Sequence, residues 1–574
     1  MSSPFDVKGQ HDVHLRLDLS DPASQTIAVE MVWTPETLRQ VFQMPVWTPG
    51  SYTVRDPSQH LYGLTLQQGE SPLSPRRLSP SRWGIQLSSL EPLRLRYQLA
   101  ARQLTVRTNF LDPEFASLCL SAVAMQVDGK RWSPHHLELK LPEGWQGFVP
   151  LPETTSGYCS RDFDHLVDSP VHAGPLELIP FQVRGYQHSL LLIGSAPVGW
   201  PDSLAEDVEA VCTAAASLMA DTPPAEDCYQ LVIQLLDNGY GGLEHDHGAV
   251  LQFAWPKLAT ADGYHQLLQL VGHEYLHQWN VRRLRPKEYV PYDHDLPVVS
   301  DGLWFAEGVT SYFDLALPLL AGRSDRTMLL KDLGKDLAHV LLNPGRKVQS
   351  LADSSREAWV RLYKSTPAAA DTQISYYRLG TALAFCLDVE LRLVNSSLAQ
   401  VLRDLWATFG RCGRGYGRAD VQSALRKYSP ALADRLPDWL DQCDSLPIER
   451  CVELIGLELV PIDDQTTWSG MSLDQTPSGI VLKRVRHGSP GHDAGLVAGD
   501  EIVAVRQHRL QCLEQWPLLL NGDNPISIHY ARRGRLEETR LIPTPHGVKD
   551  MSLEWNPQAS QSMRALRDQW FKIR

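Results

Sequence analysis

The chain has 574 residues, of which 43% are hydrophobic and 21% charged, a composition typical of a globular protein rather than a disordered one. At about 150 residues per domain, this length predicts roughly three or four domains. The net charge of −13 argues against a general nucleic-acid partner, because such binding requires a basic surface.

The sequence shows no sign of a membrane or secreted protein. No apolar run reaches the roughly 18 residues needed to cross a bilayer, so we expect no membrane span. The start, "MSSPFDVKGQHDVHL", lacks the basic segment and apolar core of a signal peptide. The nine cysteines are scattered without a CxxC pair, which is typical of reduced thiols and does not support a zinc–cysteine site. We therefore expect a cytoplasmic protein.

The first 185 residues are predicted to form a β-sandwich-like domain. Apolar and polar residues alternate in "VHLRLDL" and "IAVEMVW", and the pattern returns in "LRLRYQL" and "LELKLP". This period of two, with Pro and Gly between the runs, favours antiparallel strands that bury one face. The segment "SPLSPRRLSPSR" is predicted to be a connection.

From about residue 200 the pattern changes to helices mixed with strands. "DSLAEDVEAVCTAAASLM" is predicted to be a helix with a polar start, and "YQLVIQLLD" and "AVLQFAW" are predicted strands. "YHQLLQLVGHEYLHQW" is predicted to be a helix that is apolar on nearly every side and therefore buried. We assign residues 186–325 to one domain and the amphipathic helices of residues 326–450 to its helical part.

The C-terminal part returns to short strands with glycine-rich turns. We assign residues 455–545, including "SGIVLKRVRHGSPGHDAGLVAGDEIVAV", to a separate small domain. Residues 546–574 are assigned to a C-terminal tail, whose last stretch, "SMRALRDQWFKIR", is predicted to be a short basic amphipathic helix or simply part of the tail.

The stretch "VGHEYLHQWN" contains a pattern that suits a metal. In a helix, positions i and i+4 share a face, so His273 and His277 can bind one ion, and neutral imidazole suits zinc. Glu274 lies one step round the helix and can reach a water at the metal as a general base. The alternative is a hydrogen-bonded polar cluster in the core.

A catalytic zinc needs a third protein ligand, and Glu307 is the candidate. It is the only charged residue in the apolar run "LWFAEGVTSYF", and a lone carboxylate in such a run needs a partner. The alternative is a carboxylate at a helix start that faces water.

These motifs together resemble the gluzincins and, more closely, the glycyl aminopeptidase family, family sixty-one of the metallopeptidases. The resemblance rests on "HEYLHQWNVRRLRP", "LWFAEGVTSYF" and the N-terminal "MPVWTPGSYTVRD". It implies a multidomain α+β protein with an N-terminal antiparallel β-domain, a thermolysin-like catalytic domain and a C-terminal PDZ domain. It also implies one Zn²⁺ per chain and a preference for peptides that begin with a small residue, Gly or Ala.

The resemblance implies two further site residues. Tyr377 in "ISYYRLG" matches the gluzincin tyrosine that stabilises the oxyanion, with Tyr376 as its competitor and a packed aromatic pair as the alternative. Glu244 in "GGLEH" matches the carboxylate that holds the substrate's amino group, beside Gly241 and Gly242, which allow close approach of the backbone. A hairpin turn with an incidental glutamate is the alternative. The following strand, "AVLQFAW", is expected to bind the peptide backbone as an edge strand.

The C-terminal domain resembles a PDZ module through "DAGLVAGDEIVAV" and "WSGMSL". Ser469, Gly470 and Met471 match the loop that precedes the peptide-pairing strand, and backbone N–H groups there could hold a chain terminus. A structural domain without a ligand is the alternative. The expected function is therefore a zinc aminopeptidase acting on peptides with a free N-terminus. An endopeptidase, or a PDZ-based interaction protein with a weakly active peptidase domain, remains the alternative.

Overall fold

The computed structural model describes residues 12–364, 366–521 and 524–573. The chain divides into two compact units, each built from more than one segment. The first unit comprises Met1–Ser300, Ala316–Ser324 and Leu402–Gly417, and the second comprises Asp301–Leu315, Asp325–Val401 and Arg418–Arg574. The segment that carries Glu307 therefore belongs to the second unit, whereas the His273 region belongs to the first.

The N-terminal part of the first unit is rich in β-structure. Its largest sheet has eight strands, in the order Glu153–Thr154, Gly157–Ser160, His135–Lys140, Val13–Asp18, Thr26–Trp33, Leu93–Ala100, Leu61–Gln68 and Ser71–Leu73. The alternation predicted for these strands is present, since Val13, Leu15 and Leu17 are buried and the residues between them are partly exposed. The expectation of a purely antiparallel sheet is wrong, because Val13–Asp18 pairs in parallel with His135–Lys140.

Two four-stranded sheets complete this β-rich part. Their orders are Gln146–Phe148, Val171–Gly174, Ala116–Leu118, Phe110–Leu111 for one and Gln126–Val127, Arg39–Gln43, Arg82–Gln86, Arg76–Ser79 for the other. A short helix, Phe163–Val167, follows the strand Gly157–Ser160. Apolar side chains of all three sheets meet in one core.

The rest of the first unit is a five-stranded sheet with helices. The strand order is Leu178–Val183, Tyr186–Ile193, Tyr229–Leu236, Gly248–Ala254 and Tyr240–His245. The helices that go with this sheet are Leu204–Met219, Trp255–Leu258, Ala261–Leu276 and Leu317–Leu320. The sheet begins at Leu178, before the boundary expected at residue 186, because this strand pairs along its whole length with Tyr186–Ile193.

The second unit begins with helices. A π-helical turn, Trp304–Gly308, runs directly into Val309–Asp314. The further helices are Arg326–Leu342, Leu351–Arg356, Ala369–Thr372, Tyr376–Arg392, Leu398–Thr408, Arg418–Arg426, Pro430–Asp441 and Ile448–Leu454. The helix Leu398–Thr408 starts in this unit and ends in the first.

The C-terminal β-region of the second unit contains one sheet and one two-stranded ribbon. The sheet runs in the order Met471–Thr476, Gly479–Val485, Glu501–Val505, Ile526–Arg532, Arg535–Leu541, with His508–Arg509 paired to Glu501–Val505. Two short helices, Pro490–Asp493 and Gln515–Leu520, accompany it. The ribbon joins Leu457–Trp468 to Thr544–Trp555.

The assignment of residues 546–574 to a tail is wrong, although the short helix expected in "SMRALRDQWFKIR" is present. The strand of the ribbon extends to Trp555, and the helix Gln561–Trp570 follows it. Trp570 is 1% exposed, and its indole Nε1 donates a 2.8 Å hydrogen bond to the hydroxyl of Tyr312. Burial of so large a side chain outweighs the basic, polar character that suggested a tail.

Two expectations from composition can be compared with the described residues. None of their helices is both long and apolar enough to cross a membrane. All nine cysteines are free thiols, and Cys119, Cys212, Cys386 and Cys451 are buried.

Candidate active site

The helix Ala261–Leu276 presents the two histidines of the HExxH pattern. It begins at Thr260, whose hydroxyl accepts a 3.1 Å hydrogen bond from the Gly263 N–H, and it is otherwise largely buried. It ends one residue before His277, yet the Nε2 atoms of His273 and His277 lie only 3.0 Å apart. The i, i+4 spacing therefore brings two nitrogen donors to one point.

The backbone fixes which nitrogen of His277 is available to a metal. Its Nδ1 lies 2.6 Å from the carbonyl oxygen of Asn280. Because a carbonyl only accepts hydrogen bonds, Nδ1 carries the hydrogen and Nε2 carries the lone pair. This is the usual arrangement of a histidine that binds a metal through one nitrogen and is oriented through the other. The donor chemistry of the pair therefore fits zinc.

Glu274 and Glu244 lie beside His277. Ligand atoms of these three residues all fall within 4.8 Å of one another, and each residue is at most 5% exposed. Alternation along Tyr240–His245 places Gly242 and Glu244 on one face of the strand. A side chain at Gly242 would collide with the carboxylate of Glu274, so the glycine is required by that contact. Gly241, at φ +146°, has open space around it.

The strand "AVLQFAW", which was expected at the edge of the sheet, does not lie there. "AVLQFAW" forms Gly248–Ala254, which lies between Tyr229–Leu236 and Tyr240–His245. The edge of the sheet is Tyr240–His245, the strand that carries Glu244 itself. The two strands are joined by a tight turn and pair antiparallel, so sequence adjacency alone did not show which of them lies outside. Glu244 is thus part of a strand rather than of a hairpin turn.

The carboxylate of Glu244 is incompletely paired. Glu244 is 4% exposed, and its Oε1 atom is buried without a hydrogen-bond partner among the described residues. A buried carboxylate oxygen that lacks a donor is costly. The arrangement suits a positively charged group that arrives with a ligand.

A buried ion network follows Glu244 along the chain. Arg282, 2% exposed on its side chain, lies 2.7 Å from the Asp168 carboxylate and donates a 2.9 Å hydrogen bond to Asp246. The Asp246 N–H donates to Asp168 at 2.7 Å, and His245 Nδ1 lies 3.2 Å from Asp168. The backbone N–H of Arg282 also donates a 3.0 Å hydrogen bond to the carbonyl of His277, so the network ties the end of the Glu244 strand to His277.

The same network controls the ionisation of Asp246. Burial raises the pKa of this carboxyl, but the charges of Arg282, Arg283 and Arg285 outweigh burial, and the pKa lies well below its ordinary value. Asp246 is therefore a carboxylate at neutral pH.

In the second unit, Glu307 lies in the π-helical turn Trp304–Gly308. It is 2% exposed, so it does not face water. The turn packs closely on the helix Tyr376–Arg392, because a side chain at Gly308 would lie 2.7 Å from the carbonyl carbon of Gly380. π-helical turns often occur at functional sites.

Three tyrosines accompany Glu307 in this unit. The hydroxyl of Tyr363 lies 3.0 Å from that of Tyr376 and 3.3 Å from that of Tyr377. Tyr376 is fully buried, whereas Tyr377 is half-buried, and their rings stack with centroids 4.8 Å apart. Burial raises the pKa of Tyr376 well above its ordinary value, and the charges of Tyr363, Tyr377 and Glu307 add to this effect. Tyr377 therefore has the more accessible phenol.

The loop "WSGMSL" of the C-terminal β-region leads into the edge strand of its sheet, Met471–Thr476. The carbonyls of Ser469 and Gly470 accept hydrogen bonds of 2.8 Å from the N–H groups of Gly491 and Arg486. The Met471 N–H donates to the Ser469 hydroxyl at 3.3 Å. The loop is therefore held by hydrogen bonds to residues further along the chain, and the strand that follows the loop lies at the edge of the sheet.

Sequence reasoning missed Asp168, Arg282 and Tyr363. The run "NVRRLRP" could have indicated a buried arginine, since it follows directly on a buried helix. Nothing in the sequence around Asp168 or Tyr363 distinguishes them from other aspartates and tyrosines.

Two parts of the chain match models of known protein families. Residues 14–175 match the Peptidase M61 N-terminal domain, and residues 266–383 match the family described as M61 glycyl aminopeptidase. The crystal structure of an aminopeptidase N family protein from Idiomarina loihiensis is 28% identical, with a TM-score of 0.89 over 97% of this chain and 100% of that chain. An M1 zinc metallopeptidase from Deinococcus radiodurans is 14% identical, with a TM-score of 0.49 over 76% and 95% of the two chains. No curated protein matches the chain.

Proposed function

We propose that this chain is a zinc aminopeptidase that prefers Gly or Ala at the first position. Residues 14–175 and 266–383 match the N-terminal and catalytic models of the M61 family, which supports a metallopeptidase. The observation that carries the aminopeptidase assignment is the buried, incompletely paired carboxylate of Glu244 beside Glu274 and His277. A free α-ammonium group is the ligand that would satisfy it. The name of the matched catalytic family and that of the Idiomarina relative agree with this activity.

We propose that His273, His277 and Glu307 hold one Zn²⁺. Two imidazole nitrogens and one carboxylate are a typical catalytic ligand set, and zinc bound there would supply a Lewis acid for the scissile carbonyl. The support is the convergence of the two Nε2 atoms and the burial of Glu307 in an apolar turn.

The other side chains have separate roles in this proposal. Glu274 accepts a proton from the attacking water and passes it to the leaving nitrogen. Tyr377 donates a hydrogen bond to the carbonyl oxygen as negative charge develops there. Glu244 accepts hydrogen bonds from the substrate's ammonium group, which excludes longer chains from running past this point.

Changing Glu244 to alanine separates an aminopeptidase from an endopeptidase. We expect Glu244→Ala to lower kcat/KM on glycyl and alanyl p-nitroanilides about 100-fold, the value of a charge-assisted interaction of about 3 kcal/mol. Residual cleavage of N-acetylated peptides should be unaffected, and metal analysis should find the same zinc content. Equal losses on free and acetylated substrates would favour the endopeptidase. Loss of zinc would instead make Glu244 a ligand.

The first-residue preference is tested with a panel of aminoacyl p-nitroanilides, with and without a chelator. We expect chelator-sensitive release to be fastest from Gly and Ala. Faster release from Leu or Phe would contradict the preference while leaving the class of enzyme intact.

We also propose that the C-terminal sheet is a PDZ domain that binds peptides along Met471–Thr476, with Ser469, Gly470 and Met471 at the carboxylate end. The open edge of that strand supports this role. Peptides with a free C-terminal carboxylate should bind more tightly than their amidated forms. Equal binding of both forms would argue against carboxylate capture.

A further inference from the structure

Gly50, in the N-terminal β-rich part of the first unit, lies against the carboxylate of Glu244. A Cβ atom placed on Gly50 would lie 2.7 Å from both carboxylate oxygens of Glu244 and 2.7 Å from Cδ1 of Leu243. Separations this short essentially never occur for real Cβ atoms. Gly50 also has φ +84°, which favours glycine. Position 50 therefore requires glycine for two independent reasons, its positive φ and its close approach to Glu244.

The loop that carries Gly50 has little freedom to retreat. The Val46 N–H donates a 2.9 Å hydrogen bond to the carbonyl of His294, and the indole of Trp47 donates a 2.7 Å bond to the carbonyl of Asp293. The Arg55 N–H returns to the carbonyl of Val46 at 2.9 Å, which closes the loop. Trp47 is 1% exposed, so packing fixes the loop as well.

Glu244 is held on its own side too. Arg107, from the N-terminal part, donates a 2.9 Å hydrogen bond to the carbonyl of Gly242. Beyond Glu244, Asp246 is bound to Asp168 and Arg282 as described above. Neither the strand nor the loop can yield easily, so the space between them is set by the absent side chain of Gly50.

We infer that Gly50 is a positioning residue for amine recognition: its missing side chain sets where the Glu244 carboxylate lies and leaves room for the substrate's ammonium group. The N-terminal β-rich part thereby forms one wall of the amine site. This inference rests on the proposed role of Glu244, and it assigns to the segment "MPVWTPGSYTVRD" a direct part in substrate selection.

The test compares Gly50→Ala with Gly144→Ala. Gly144 has φ +81° and nothing within 4 Å of its Cβ position, so it reproduces the backbone strain without the contact. The probes are glycine hydroxamate, which has an amino group, and acetohydroxamate, which lacks one. Gly50→Ala should raise the Ki of glycine hydroxamate about tenfold, the effect of weakening one hydrogen bond to a charged group. The Ki of acetohydroxamate should stay unchanged, and Gly144→Ala should change neither.

A second pair of variants keeps the inference testable if Gly50→Ala folds poorly. Glu244→Asp withdraws the carboxylate by about 1.5 Å, one C–C bond, and makes room for a Cβ atom. The double variant that combines Gly50→Ala with Glu244→Asp should therefore bind glycine hydroxamate as well as Glu244→Asp alone does. An additional loss in the double variant, or an equal loss in Gly144→Ala, would overturn the inference.

Glu244→Ala separates a failure of the role inferred for Gly50 from a failure of the role proposed for Glu244. If it abolishes the preference for glycine hydroxamate while Gly50→Ala does not, only the inference about Gly50 fails. If Glu244→Ala leaves the preference intact, the proposed amine recognition fails as well.

Discussion

In the first unit a buried ion network fixes the chain next to the strand that carries Glu244, whereas in the second unit Glu307 lies where two helices pack closely. Asp168, Arg282 and Asp246 form a buried ion network behind Glu244. Gly308 and Gly380 instead let two helices approach until their backbones touch. The first arrangement depends on ionisation and the second on shape, so the two regions should respond to different perturbations.

Glu274→Gln is expected to give the largest effect on activity, because it removes the proposed general base. Glutamine keeps the shape of the side chain next to Gly242 but cannot accept the proton. We expect kcat to fall about 10³-fold while the zinc content stays at the wild-type level. Steady-state kinetics and metal analysis check this prediction.

The control for Glu274→Gln is Glu209→Gln, which removes an exposed carboxylate from the helix Leu204–Met219. It should leave kcat unchanged. Near-normal activity of Glu274→Gln would rule out Glu274 as the base, and a loss of zinc would show that it acts as a ligand.

Arg282→Gln tests whether charge fixes the first unit. The substitution leaves the buried carboxylate of Asp168 without its closest cation, a change that typically costs about 3–5 kcal/mol. We expect a corresponding drop in Tm. Arg411→Gln is the control, because its ion pair with Asp221 is 2.6 Å long but its side chain is 56% exposed, and such pairs contribute at most about 1 kcal/mol.

The same variant has an expected pH dependence. The folded-state pKa of Asp246 is depressed, so its contribution to stability is present above the unfolded pKa of about 3.9 and is lost as the pH falls through the folded pKa. Removing Arg282 raises the folded pKa. Arg282→Gln should therefore lose less additional stability between pH 5 and acid pH than the wild type does, a difference that acid titration of unfolding would measure. An unchanged slope would mean that other charges control Asp246.

The parts of this site that follow from local pattern were predictable, and those that depend on sheet order or distant partners were not. His273 and His277 follow from helical spacing, and burial of Glu307 follows from its being a lone charge in an apolar run. The edge position of Tyr240–His245 depends on how five strands are ordered in the sheet. From sequence alone, the neighbouring strand Gly248–Ala254 was expected at the edge instead. Asp168 meets Arg282 only through the tertiary fold, so no local signal marks the pair.

The π-helical turn at Glu307 is a feature that the sequence pattern does not reveal. The apolar pattern of "LWFAEGVTSYF" suits any buried helix, and hydrophobic spacing does not distinguish a π turn from an α turn. Its close approach to the next helix needs glycine at both Gly308 and Gly380, which lie in separate sequence motifs.

Tyr377→Phe tests the second unit, where packing fixes the site. Its expected effect is smaller than those of Glu274→Gln and Arg282→Gln. Removing one donor to a developing oxyanion lowers kcat about 10²-fold. KM and zinc content should change little, because the ring and its stack on Tyr376 remain. Tyr376→Phe is the matched control: its hydroxyl is fully buried and lies 3.0 Å from that of Tyr363, so we expect a loss of about 1 kcal/mol in stability with less than a tenfold loss in kcat. If Tyr376→Phe were the more damaging change to kcat, the buried phenol would be the oxyanion donor, and the half-buried ring of Tyr377 would be the packing residue.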